Sequence, residues 1–262
     1  MRRLLPAIIL AVVVGAAPTP SSAQVVISLF APPILPVYVQ PPVPAPNYIW
    51  MPGYWAWGTA GYYWVPGTWV LAPSPGLLWT PGYWSAVSNG FSWNQGYWGP
   101  GVGFYGGVPY GYGYYGTGYV GGQWAGNVFR YNTAVTNVNT TIIKNVYVDK
   151  TVVVKVVNRT SYNGGPHGWH VRPTPAQLAV APVRRVNPTP VQHQHEVEAG
   201  QNRTSLATVN HGTPPHPAVV KPLTPHNRPP DFRPVTSADR QAVHVARPPA
   251  RPPEPAKPPH RM

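Results

Sequence analysis

In the segment VQHQHEVE, His193, His195, Glu196 and Glu198 fall within six positions. Imidazoles and carboxylates so close together could ligate one divalent ion. PHGWH brings His167 and His170 together in the same way. Neither segment supplies a framework that would orient ligands before a metal arrives, so no metal site and no cofactor is expected of them. Acid–base catalysis finds still less to work with, because it needs two titratable groups held close. Between residues 24 and 160 the only carboxylate is Asp149 and there is no histidine. Nucleophilic triads fail for the same reason, since every histidine lies at 167 or beyond. The Gly-rich stretch lacks the lysine and the strand-to-helix setting of a phosphate loop. No catalytic residue is expected, and the chain reads as a non-enzyme.

The side chains left to do chemistry are aromatic. YIWMPGYW (48–55) returns as YYWVPGTW (62–69), LLWTPGYW (77–84) and FSWNQGYW (91–98). The first tryptophans are Trp50, Trp64, Trp79 and Trp93, spaced 14, 15 and 14 residues apart, and the second are Trp55, Trp69, Trp84 and Trp98. Such a period fits two short strands and two turns. With Pro52-Gly53 at the centre of a turn, Met51 faces Tyr54 and Trp50 faces Trp55 as a cross-strand pair. In that drawing Gly53, Gly67, Gly82 and Gly96 are turn glycines at positive φ. Pro-Gly favours a type II turn rather than the primed turns of tight hairpins, so the register stays open. The indoles have three readings: the core of a small sheet, a platform on which sugars stack, or a surface for self-association.

Around the repeat the composition shifts in blocks. Residues 1–23 read as a signal peptide: Arg2 and Arg3 precede an apolar run that closes on Ser21, Ser22 and Ala23. That run is too short to span a bilayer, so no transmembrane anchor is expected after its removal. Residues 24–47 form a Pro-rich lead-in, extended because proline fixes φ and lacks an amide donor. The four-copy repeat fills 48–100. A Gly/Tyr-rich segment follows at 101–126, either a flexible linker or aromatics packed back on the sheet. Residues 127–160 are rich in Val, Thr and Asn and are expected to be strand, with open edges that could pair with another copy of the chain. From 161 to 262 the sequence carries Pro, His and Arg without hydrophobic periodicity and is expected to be a disordered basic tail. Twelve of the nineteen lysines and arginines lie there, within a net charge of +13. Arg184, Arg185 and the run RPPARPPEPAKPP could adhere to anionic envelope polymers. Export argues against nucleic acid as a partner. The absence of cysteine rules out disulfides and a lipid-modified N-terminal Cys.

With these repeats, together with GFYGG, SYNGG, RPTPAQ and VNHG, the chain resembles the bacterial YXWGXW-repeat (WXXGXW) family of secreted envelope proteins, from about residue 36 to about 212. The motif falls on Tyr62, Trp64, Gly67 and Trp69 and on the corresponding residues of the other copies. The resemblance implies a periplasmic or outer-membrane-associated protein with no established enzymatic activity. The expected fold is mostly β: a small aromatic-rich antiparallel meander of about four hairpin repeats of 14–15 residues, with additional strands and long disordered termini. The expected role is that of a structural or interaction protein of the envelope. Its alternatives are carbohydrate binding on aromatic platforms and a self-associating β matrix.

Overall fold

The computed structural model describes residues 26–180 and 185–245. The signal peptide, Arg184 and the run RPPARPPEPAKPP lie outside the described residues. Small antiparallel sheets dominate, and the strands of the repeat supply the centre of the molecule.

The repeat folds as two long bent hairpins, one for each pair of motifs. In the first, β2 (Tyr48–Met51) pairs with β5 (Thr68–Leu71), and β3 (Tyr54–Gly58) with β4 (Gly61–Val65). In the second, β6 (Leu78–Thr80) pairs with β9 (Tyr97–Gly99), and β7 (Tyr83–Val87) with β8 (Gly90–Asn94). The cross-strand indole pairs are Trp50–Trp69, Trp55–Trp64, Trp79–Trp98 and Trp84–Trp93. The expected pairing of Trp50 with Trp55 across Pro52-Gly53 is therefore corrected, and the hairpin repeats number two rather than four. The reason lies in the proline. L-proline cannot supply the positive φ of a tight hairpin turn, so the chain reverses instead at the tips, where Gly61 (φ 90°) and Gly90 (φ 138°) take that conformation. The motif's Pro-Gly step, Gln95-Gly96 in the fourth copy, interrupts the ladder on each strand.

β1 (Ile27–Ser28) and β13 (Tyr162–Asn163) add to the edges of β8 and β7, completing a four-stranded sheet. The Gly/Tyr-rich segment packs back on the repeat: Tyr105, Val108, Tyr110 and Tyr114 are buried, while Gly106, Gly107, Gly111 and Gly113 turn the chain at positive φ. The Tyr114 hydroxyl lies 2.9 Å from the carbonyl of Trp79 and 3.3 Å from that of Trp50, joining the two hairpins at equivalent positions. Two of the quoted motifs also meet in space, since Asn163 of SYNGG donates through Nδ2 to the carbonyl of Gly106 in GFYGG at 2.9 Å.

Residues 127–160 hold less strand than their composition predicts. β10 (Gly122–Ala125), β11 (Val128–Asn132) and the two-residue β12 (Val146–Tyr147) form a three-stranded sheet, and 151–160 runs without a ladder. Its C-terminal end lies beside the Pro-rich lead-in, where Leu35 N–H donates to Arg159 O at 2.8 Å and Arg159 Nη1 donates to Leu35 O at 3.1 Å. Pro32, Pro33 and Pro36 have no amide to extend that contact into a ladder. Val153, Val154 and Val157 are left exposed.

The expected disorder from 161 onward is corrected for the described part of that segment. It contains α1 (Pro175–Val180), α2 (Pro190–Gln201), α3 (Ala207–Asn210) and α4 (Ser237–Val245), with a 3₁₀ turn at Arg203–Ser205. Thr189 caps α2 in a capping box with Gln192, and Pro190 takes the first turn. The segment is ordered by the repeat rather than by a core of its own. Gly67 N–H donates to Pro217 O and Gly67 O accepts from Val219 N–H; Trp98 and Val186 exchange both backbone hydrogen bonds. Arg203 pairs with Asp239 at 2.9 Å, and Arg228 with Glu198 at 2.6 Å.

A chain ending at residue 160 should therefore fold poorly. It strips Trp64 and Trp98 of their indole acceptors, and each buried donor left unpaired costs about 1–3 kcal/mol. Circular dichroism melting of this truncation against the full mature chain should show a loss of several °C or more; equal melting would refute the docking of 185–245 on the repeat.

Candidate functional site

Each motif glycine is the floor under an indole. A Cβ built on Gly67 would stand 2.6 Å from Cζ2 of Trp50, and one on Gly96 would stand 2.5 Å from Cζ2 of Trp79; Gly53 lies closer still beneath Trp64, and Gly82 beneath Trp93. The arrangement is reciprocal within a hairpin, because the first tryptophan of each motif covers the glycine of the other. None of the four glycines adopts positive φ, so their expected role as turn residues is corrected: close approach, not backbone conformation, excludes a side chain there. The paired rings meet edge-on or tilted, with centroids 5.0 Å apart for Trp50–Trp69, 5.2 Å for Trp55–Trp64, and 5.3 Å for both Trp79–Trp98 and Trp84–Trp93.

Seven of the eight tryptophans are buried, none more than 4% exposed. Trp93 is half-buried, stacked on Tyr54 at 5.1 Å and donating to Gln95 Oε1 at 2.9 Å. Gln95 stands where the other copies carry proline. Five of the remaining indole donors bind acceptors elsewhere in the chain, while Trp50 Nε1 is buried without a partner among the described residues. Trp55 Nε1 donates to Ile34 O at 3.1 Å, Trp69 to Pro41 O at 3.0 Å and Trp64 to Pro217 O at 3.0 Å. Trp98 donates to Gln192 Oε1 at 2.7 Å, and Trp84 to the carbonyl of Trp55 at 2.7 Å, tying one hairpin to the other. Three of these acceptors lie in Pro-rich stretches, whose extended backbone makes no internal hydrogen bonds and offers bare carbonyls.

The titratable cluster of 193–198 lies on α2, and its members face apart. His195 is fully buried against the repeat: Nε2–H donates to Pro66 O at 2.7 Å, and Nδ1 accepts from Leu223 N–H at 2.6 Å. Burial pushes this imidazole down to about 4. Glu198 accepts from Gln194 and Arg228. Burial raises the Glu196 carboxyl, which accepts from the Tyr54 hydroxyl. His193, His167 and His170 are exposed. Among the described residues no three metal-ligating side chains converge. Arg185, one of the two arginines singled out for anionic polymers, lies over the ring of Tyr97 at 4.3 Å.

With seven of the repeat indoles buried, a second aromatic surface is built from tyrosines. A cleft of about 520 Å³ opens between the lead-in around Tyr38, the Gly/Tyr-rich turn at Tyr110–Tyr115, the loop at 133–137 and the extended stretch ending at Arg159. Tyr38, Tyr112 and Tyr115 are half-buried in its wall. The Tyr38 and Tyr112 rings lie 5.4 Å apart, and the Tyr112 hydroxyl donates to the carbonyl of Tyr38. Tyr38 Oη accepts from Gly53 N–H at 3.3 Å, fixing the ring to the repeat. Sequence reasoning passed over these residues because they come from four distant stretches with no shared spacing. The alternation of Gly with Tyr in 101–126 was the only signal.

The family model for the WXXGXW repeat matches the chain in two copies, at residues 46–70 and 75–98. Each copy coincides with one bent hairpin. No curated protein and no solved structure matches the chain.

Two predictions follow from this geometry. Gly67→Ala should cost about 1–3 kcal/mol by overpacking against Trp50, and combining it with Trp50→Phe should lose less than the two single losses summed. Strict additivity in denaturant melts would remove the interlock. For His195 the unfolded imidazole titrates near about 6.5, above the folded value, so the unfolded chain takes up the proton first. Its contribution to stability is complete above about pH 6.5 and fades as pH falls toward 4, by up to about 1.4 kcal/mol per pH unit. Melting from pH 7 to 4 should show this slope flattened in His195→Asn, and an unchanged slope would refute the assignment.

Proposed function

We propose that this WXXGXW-repeat chain is an exported, non-enzymatic structural or interaction protein of the bacterial envelope, in which the repeats are scaffold rather than contact surface. The observation that carries this reading is the reciprocal seating of indole on glycine, which goes with burial of seven of the motif's eight indoles. Export rests on the signal-like sequence of residues 1–23. Among the described residues no helix is long and apolar enough to cross a membrane. The excess of basic residues beyond 161 suits loose adhesion to anionic envelope polymers. A second reading, carbohydrate binding, is favoured by the tyrosine-lined cleft rather than by the tryptophans. The exposed valines of 151–160 support self-association only as far as unpaired β-prone backbone does.

Trp64→Ala separates scaffold from platform. As scaffold, Trp64 should leave a cavity costing about 3–5 kcal/mol, with loss of the β signal in circular dichroism. As a platform, its removal should leave the melt nearly unchanged and abolish retention on peptidoglycan or exopolysaccharide. An intact melt with lost retention would overturn the scaffold reading.

A further inference from the structure

The walls of the tyrosine cleft are unusual in what they omit. The charged residue among them is Arg159, and no carboxylate lines the cleft. Sites for neutral sugars need acceptors for the hydroxyl protons they enclose. Here Thr133, Thr136 and Asn137 supply neutral hydroxyl and amide groups, and the one charged group among these described residues is a donor. The guanidinium of Arg159 spends Nη1 on Leu35 O at 3.1 Å, and the fork carries five N–H groups. Tyr38 Oη accepts from Gly53 N–H, which leaves its own proton to give. Gln40, 1% exposed in the cleft wall, accepts through Oε1 from Asn137 N–H at 2.8 Å, while its Nε2 is buried without an acceptor among the described residues. Alongside these donors stand the half-buried rings of Tyr38, Tyr112 and Tyr115, surfaces on which the C–H faces of a pyranose pack. A cleft of this size falls in the range of roughly 300–1,000 Å³ usual for small-ligand sites.

We propose that this cleft binds a glycan containing acidic sugars, with a sugar carboxylate against Arg159 and a ring face on Tyr115. The proposal rests on the interaction-protein reading above and names the ligand class. A carboxylate is the planar, acceptor-only group that a guanidinium recognises best. The cleft is also built where a scaffold would hold it rigid: Tyr38 is tied to Gly53, one of the motif glycines, and Trp64 closes its floor.

The test is isothermal titration of the full mature chain with hexagalacturonate as the acidic probe and cellohexaose as the neutral one. Hexagalacturonate should bind with one saturable site, and cellohexaose at least about tenfold more weakly. Arg159→Gln should weaken the acidic probe by roughly tenfold or more. Tyr115→Ala, which removes a half-buried ring with no paired aromatic contact among the described residues, should weaken it by roughly three- to tenfold while leaving the melt unchanged. It keeps the test decisive if Arg159→Gln, through its tie to Leu35, lowers stability. No binding of hexagalacturonate at millimolar concentration would overturn the proposal. Equal binding of the two probes would do so as well. Binding that survives both substitutions but disappears in high salt would place the acidic glycan on the basic residues beyond 161, and the cleft proposal would fall. Each of these failures is read on protein that melts normally, so it leaves the scaffold reading intact; loss of that reading shows in the Trp64→Ala melt instead.

Discussion

A buried indole needs an acceptor for its one N–H, and an extended proline-rich backbone has carbonyls but few amides of its own; the molecule is organised by joining these two needs. Trp55 and Trp69 hold the lead-in at Ile34 and Pro41, and Trp64 holds the C-terminal segment at Pro217. A chain with 38 prolines cannot close its backbone hydrogen bonds in ladders and helices alone. The tryptophan repeat serves as a rack of donors on which such a backbone hangs. Glycine beneath each first indole lets that ring sit low against its cross-strand partner, and of the four first indoles it is Trp64 that donates to another segment. Removing Gly53 would therefore disturb more than local packing, since the Trp64 ring above it carries the donor that holds Pro217.

This arrangement explains which parts of the fold were legible in the residues. The repeat period and its β character follow from short-range pattern, whereas the packing of Tyr105 and Tyr114 was one of two readings that composition left open. The partner of each tryptophan does not, because Trp50 opposite Trp55 and Trp50 opposite Trp69 produce the same spacing in the sequence. Only the inability of proline to adopt positive φ, weighed against the glycines at the tips, decides between them. The order in 185–245 was illegible for a different reason. α2 has almost no apolar face, and Gln192, His195 and Glu198 are buried through hydrogen bonds to groups outside the helix. Hydrophobic periodicity says nothing about a helix attached in this way. Its one readable mark is the capping box of Thr189, Pro190 and Gln192.

The same logic separates scaffold from contact surface. The most regular element of the sequence, the tryptophan motif, is turned inward, and the cleft is assembled from Tyr38, Tyr112, Tyr115 and Arg159, which share no motif. A repeated interior carrying an unrepeated surface lets the exposed residues change without cost to the core. The titratable groups follow the division as well. His195 and Glu198 sit in the interior with every reachable partner supplied by the chain, so their chemistry is spent on holding α2 in place.

The reciprocal seating of indole on glycine bears on how such chains can grow. A single motif presents one ring without a floor and one floor without a ring, so the smallest self-satisfied unit is a pair. Duplication or loss of one motif would leave an indole facing the wrong strand and a glycine open to solvent. Duplication of a whole hairpin leaves every ring seated. Chains built on this motif should thus carry it in even numbers, and an odd copy should be a decayed one, its glycine or its first tryptophan already replaced. Gln95, with Trp93 partly released toward the surface, occupies the copy where such decay would be tolerated first.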